Sequence, residues 1–176
     1  MMNRKLRAPG LCAIIAILPF VTASGALAAP APKTENLDSL GNAESNEEIS
    51  SDFLAEAHSA ERSGAGNLIS VTWSVENIGD RDAGFDWPQG NSYMYSNVTS
   101  YSGVTITSST KSKRFHPLMD SDGDCLCSGN TSMDVKNILR PGEKVAYWSM
   151  YSVPEDVDSI DLEIPGFEPI EDIPIS

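Results

Sequence analysis

Two cysteines one residue apart, Cys125-Leu126-Cys127, are the most chemically pointed feature of this chain. Residues at i and i+2 of extended chain project to the same side, and their Cα separation of roughly 6 to 7 Å lies at the upper end of what a disulfide spans. A bridge between them is expected, strained and readily reduced, because so small a ring removes little unfolded-chain entropy. Three chemistries fit the pair: a local clamp on the loop from Asp120 to Ser128, a redox-active dithiol or intermolecular bridge, and a thiolate metal site. The clamp is the leading reading. A metal would need two further ligands, and the soft candidates His58, His116, Met119 and Met133 are not gathered by their spacing.

Just upstream, Asp120-Ser121-Asp122-Gly123-Asp124 sets carboxylates at alternate positions, as the opening of a Ca²⁺-binding loop does. Glycine stands fourth rather than sixth, however, and Thr131 occupies the twelfth position where a bidentate Glu belongs. The segment is expected to be a polar turn, with Asp120, Asp122 and Asp124 as a weak Ca²⁺ candidate; no other metal site and no cofactor is expected. Catalytic constellations are thin. His58 and His116 are the only histidines, and no Ser sits in a G-x-S-x-G or S-x-x-K setting that would activate its hydroxyl. The carboxylates fall mostly on the polar faces of alternating segments, where solvation accounts for them better than an acid/base pair. No enzyme is expected.

Aromatic residues offer a different chemistry. Phe85, Trp87, Tyr93, Tyr95 and Tyr101 fall in or beside one long loop, and rigid aromatics on the end loops of a β-sandwich are a common means of gripping a partner. Trp87, between Asp86 and Pro88, should sit on a turn and be at least partly exposed, unless it and Tyr93 merely cover the sandwich end. Trp73 and Trp148 lie on well-patterned strands and belong in or against the core.

The elements that would position these residues are strands. Ile69, Val71, Trp73 and Val75 alternate with Ser70, Thr72, Ser74 and Glu76 before the stop at Asn77-Ile78-Gly79-Asp80. Residues 52–61 fit both a helical face and a strand, and we read them as strand. Arg81 to Gly90 reads as loop, Tyr93 to Val98 as a short irregular strand, and Val104–Thr107 with Lys113–Phe115 as a hairpin. Met133 to Leu139 is a further strand, Arg140-Pro141-Gly142-Glu143 a turn, and Val145 to Ser152 a strand bulky on both faces and therefore central. Ile160, Leu162 and Ile164 mark the last strand, and Pro165-Gly166 opens a tail carrying Pro169 and Pro174. Six or seven short antiparallel strands joined by such turns indicate an all-β, immunoglobulin-like sandwich over residues 52–176.

Ahead of it, Arg4, Lys5 and Arg7 precede an apolar run from Leu11 to Val21 and the small-x-small triplet Ala26-Leu27-Ala28, the pattern of a secretory signal peptide over residues 1–28. The run contains Pro19 and is shorter than the ~20 apolar residues a bilayer requires, so an uncleaved anchor is disfavoured and no membrane span is expected after cleavage. Residues 29–51, rich in Pro, Asn, Ser and Glu, read as a disordered acidic linker. Removing the leader's three basic residues takes the formal charge from −13 to −16, which excludes nucleic acid as a partner.

Trp73-Ser74-Val75-Glu76-Asn77-Ile78-Gly79 and Leu139-Arg140-Pro141-Gly142-Glu143, followed by Val153-Pro154, resemble the V-x-N-x-G strand end and L-x-P-G-E turn of small exported bacterial immunoglobulin-like domains. Asp122-Gly123-Asp124-Cys125-Leu126-Cys127-Ser128, with Ile164-Pro165-Gly166-Phe167-Glu168-Pro169 and Asp172-Ile173-Pro174-Ile175, is similar to segments of secreted actinobacterial proteins. The resemblance implies a fold and export, with no activity attached. The function expected is an exported binding or accessory domain whose partner is a protein or envelope component, the alternative being thiol-redox or metal handling by Cys125 and Cys127. N-terminal sequencing of exported protein should start near Ala29; a mature chain that retains Met1 or Arg4 would refute the cleaved leader.

Overall fold

Strict alternation from Ile69 to Val75 makes a strand with one buried face, and the computed structural model, which describes residues 37–64, 66–89, 94–97, 99–129 and 135–176, builds on it. Strand β3 (Leu68–Asn77) pairs antiparallel on one side with β2 (Phe53–Arg62) and on the other with β8 (Lys144–Ser152). A short β1 (Gly41–Ala43) lies along β2, giving the first sheet the order β1-β2-β3-β8. The second sheet has the order β10-β9-β5-β6, from β5 (Thr105–Ser108), β6 (Lys113–Phe115), β9 (Ser159–Glu163) and β10 (Ile170–Pro174). A two-stranded patch of β4 (Ala83–Gly84) and β7 (Ile138–Leu139) completes ten strands among the described residues. The fold is an all-β antiparallel sandwich. Its one helical element among those residues is a 3-10 turn at Glu48–Ser50, and no helix there is long and apolar enough to cross a membrane.

The mixed periodicity of residues 52–61 has a local cause. Register along β2 shifts between Ala57 and Ser59, so His58 is an extra residue in a β-bulge, and Ala57 and His58 are consecutive yet both buried. His58 Nδ1 lies 2.9 Å from the Asp38 carbonyl, which only accepts, so Nδ1–H donates there; in the neutral ring Nε2 accepts from Ser74 Oγ at 2.8 Å. This side chain, with β1, orders the described end of the expected linker: residues 37–51 carry a strand and a 3-10 turn, with Ala43 and Ser50 buried. The expectation of disorder through residue 51 is corrected by edge pairing, which needs few apolar side chains. The expected tail is likewise a strand. Ile170 and Ile173 of β10 are buried, and Pro174 is tolerated because β10 ends the sheet's order. The described part of the Arg81–Gly90 loop holds β4, whereas the expected Met133–Leu139 strand is reduced to Ile138–Leu139 and its first residues fall outside the described set.

The two segments with V-x-N-x-G and L-x-P-G-E character meet. Asn77 is buried, and its Nδ2 donates to Arg81 O and Leu139 O, each at 2.8 Å, while its Oδ1 accepts from Gly79 N–H at 2.9 Å. The backbone closes the same junction, Asn77 N–H donating to Glu143 O and Gly142 N–H to Asn77 O. Gly142, at φ +72°, has the left-handed conformation this turn requires.

The core centres on Trp73, Phe85, Tyr101 and Tyr147, all fully buried, with ring centroids 4.9 Å apart for Trp73–Tyr147 and 4.6 Å for Tyr101–Tyr147. Tyrosine hydroxyls reach out of this core to loop carbonyls: Tyr101 donates to Phe85 O at 2.9 Å, Tyr151 to Val104 O at 3.0 Å, and Tyr147 to Lys136 O. Burial pushes all three hydroxyls upward, Tyr101 from its ordinary 10.0 to about 12 and Tyr147 and Tyr151 further. A group whose folded pKa is raised contributes stability that is complete below its unfolded pKa and lost as pH rises through the folded one. Stability should therefore fall above about pH 10, with tyrosinate absorbance appearing together with the loss of near-ultraviolet dichroism; smooth tyrosine ionisation ahead of unfolding would contradict this burial.

Candidate functional site

Cys125 and Cys127 are bridged, with Cα atoms 5.4 Å apart. That is shorter than the extended-chain separation anticipated and lies well inside the usual disulfide range, because the chain bends at Leu126 between the two cysteines. Cys127 forms an isolated antiparallel bridge with Ser149 of β8, Ser128 N–H donating to Trp148 O and Met150 N–H to Leu126 O. The C-x-C stretch thus continues the first sheet beyond β8, so β8 has a neighbour on both edges there. Tyr95 packs with the two cysteines, all three being buried, and its hydroxyl donates to Pro117 O at 2.5 Å. Asn97, first residue of the Asn97-Val98-Thr99 sequon, is also buried, its Oδ1 accepting from Cys125 N–H at 2.9 Å.

The acidic turn is held by its own first carboxylate. Asp120 Oδ1 accepts from the N–H groups of both Asp122 and Asp124 at 2.9 Å, and Asp120 N–H donates to Asp124 O. Asp120 therefore caps the turn of the hairpin that Met119 and Cys125 close. Of the soft ligand candidates, Met119 sits on that hairpin, His58 is engaged with Asp38 and Ser74, His116 lies on the opposite sheet's edge, and Met133 falls outside the described residues.

The aromatic loop is corrected. Phe85 and Tyr101 are fully buried members of the core and Tyr95 is buried against the disulfide, so none of the three can meet a partner; Tyr93 lies outside the described residues. Hydrophobic burial outweighs the loop setting, since an aromatic ring contributes more inside the core than on a turn. Trp87 alone is half-exposed, as expected for it, but its ring packs on Phe85 and Phe53 at centroid distances of 4.9 and 5.5 Å. Its Nε1–H donates to Pro165 O at 2.8 Å. Trp73 is fully buried and Trp148 half-buried, as core and core-flanking residues.

That last hydrogen bond of Trp87 leads to an open groove of about 460 Å³, whose wall is the turn Pro165-Gly166-Phe167. Each of its three residues is held. Asn46 N–H and Ser50 Oγ both donate to Gly166 O, Ser45 bridges Phe167, and Trp87 holds Pro165. Gly166, at φ +88°, has no room for a side chain, since a Cβ would lie 3.0 Å from both Ser50 Oγ and Trp87 Nε1. Facing this turn are Thr105, Arg114, His116 and Glu163. Arg114 Nη2 is 2.5 Å from Glu163 Oε2, to which Thr105 Oγ1 also donates at 3.5 Å.

Sequence reasoning did not find this group. Arg114 and His116 share a side by their i, i+2 spacing, but Glu163 joins them only through the β5–β9 register that sets Thr105 opposite it. Comparison with protein families, with curated proteins and with solved structures finds no match for the chain. Truncating Trp87 to Ala removes the ring contacts with Phe53 and Phe85 and leaves Pro165 O without its donor. The variant should lose about 1–3 kcal/mol of stability, read as a melting point several degrees lower; an unchanged melting point would mean the indole is not part of the scaffold.

Proposed function

We propose that the chain is an exported, non-enzymatic, immunoglobulin-like binding module of the cell envelope or extracellular space, and that it holds its ligand in the groove beside Pro165-Gly166-Phe167. The observation carrying this reading is the Arg114–Glu163 pair, set with His116 and Thr105 against a turn braced by residues 45–50 and by Trp87. A charge pair already satisfied offers donors and acceptors in fixed directions without demanding a counter-ion, and preorganisation of this kind lowers the entropic cost of binding. Such a wall suits a neutral, hydroxyl- or amide-rich ligand, the chemistry of a saccharide. Export is supported by the leader pattern and by a disulfide, which persists in oxidising compartments. Burial of both cysteines favours the clamp over a redox role, since exchange requires access for an attacking thiolate.

Ligand-observed magnetic resonance with a panel of neutral oligosaccharides and N-acetylated sugars tests the reading. At least one should bind the mature chain, and Arg114→Ala or His116→Ala should weaken that binding at least tenfold, about 1.4 kcal/mol, while leaving the melting temperature nearly unchanged. Absence of binding across the panel, or binding that survives both substitutions, would overturn the assignment of the groove.

A further inference from the structure

Trp73, Tyr147 and Tyr151 point into the core, so the alternate residues of β3 and β8 point away from it, to the outer face of the first sheet. Register places Thr72 opposite Trp148 and Ser70 opposite Met150, and the Cys127–Ser149 bridge sets Leu126 beside Met150. Leu118 joins them through a closed ring of three main-chain hydrogen bonds. Leu118 N–H donates to Met150 O at 2.8 Å, Met150 N–H to Leu126 O at 2.9 Å, and Leu126 N–H to Leu118 O at 2.8 Å. Three apolar side chains therefore leave one point of the backbone, with Trp148 one row away, and all four are only half-buried. Leu68, on the same face of β3, is 42% exposed.

Among the described residues, the charges around this patch that neither an ion pair nor main-chain carbonyls take up are acidic. The hairpin carrying Leu118 and Leu126 turns through Asp120, Asp122 and Asp124. In the row that holds Met150 and Ser70, the next residue is the exposed Glu61, two strands or about 10 Å from Met150. Nearby cations are already committed. Lys144 pairs with Glu56 and with Glu76, and the Arg62 guanidinium donates to the carbonyls of Gly66, Val153, Pro154 and Val157. An apolar centre with an uncompensated acidic rim complements an apolar centre with a basic rim. A second copy of this chain, carrying the same acidic rim and net charge, is opposed by repulsion.

We propose that the outer face of the first sheet, centred on Leu118, Leu126, Met150 and Trp148, docks a basic amphipathic polypeptide, at a place separate from the groove. The test uses the mature chain with two synthetic strand-forming peptides, one alternating Leu and Lys and the other Leu and Glu, followed by amide chemical-shift mapping. The Leu/Lys peptide should shift amides of residues 68–72, 118–128 and 146–152 and should bind at least tenfold more tightly than the Leu/Glu peptide. Leu126→Lys with Met150→Lys should remove that binding, and Glu61→Gln with Asp122→Asn should weaken it several-fold, the latter pair lying on the surface and sparing the fold. Equal binding of both peptides, shifts centred elsewhere, binding that survives either pair of substitutions, or self-association through this face in sedimentation would each overturn the proposal.

Discussion

Trp73 sits fully buried at the centre of the core against Phe85, Tyr101 and Tyr147, and the rest of the structure depends on how the rings around it are satisfied. Phe85, Tyr101 and Tyr147 surround its indole, whose N–H has no hydrogen-bond acceptor among the described residues. The cost of that buried donor is offset by the large apolar area the rings remove from water. The polar ends of the neighbouring aromatics go where irregular chain needs donors. Tyr101, Tyr147, Tyr151, Tyr95 and Trp87 each donate to a main-chain carbonyl outside the sheets. The main core cluster, and with it the small cluster of Tyr95 and the disulfide, thereby supplies both apolar burial and the anchoring of loops too irregular to satisfy themselves.

A second clasp works at the opposite level of scale. Asn77 uses both ends of one amide to join the end of β3, the start of the Arg81 loop and the last residue of β7. Charge then finishes the surface around it. On β2, burial would raise the Glu56 carboxyl, but the hydrogen bond and charge of Lys144 outweigh it and hold the group below its ordinary value. Lys144 is raised in return, chiefly by its hydrogen bond with Glu56. Both partners are partly buried, so the pair is screened less than a surface contact.

What could be read from the chain follows from where the physics is local. The alternation of β3, the β5–β6 turn and the Arg140-Pro141-Gly142-Glu143 reversal depend on neighbours within a few residues, and they form as the pattern indicates. β1 and β10 were illegible because an edge strand draws its stability from the ladder it joins rather than from its own side chains. The burial of Phe85 and Tyr101 was hidden for a related reason, since no period marks a loop residue that enters the core. In the groove, Gly166 could be noticed beside Pro165, yet nothing along the chain brings Asn46, Arg114 and Glu163 to it until the strands have paired.

The bulge at His58 bears on how this fold can change length. A regular β2 with that residue deleted keeps Phe53, Ala55 and Ala57 facing inward and returns Ala60 to the same side, so both halves of the strand retain their parity. The sheet itself is indifferent to the insertion. What the extra residue supplies is a reach from the interior of the sheet to Asp38, outside it, and so ties chain that precedes the first strand to the body. The tie between the sandwich and the chain at Asp38 is therefore set by one position whose presence the ladder on either side does not require.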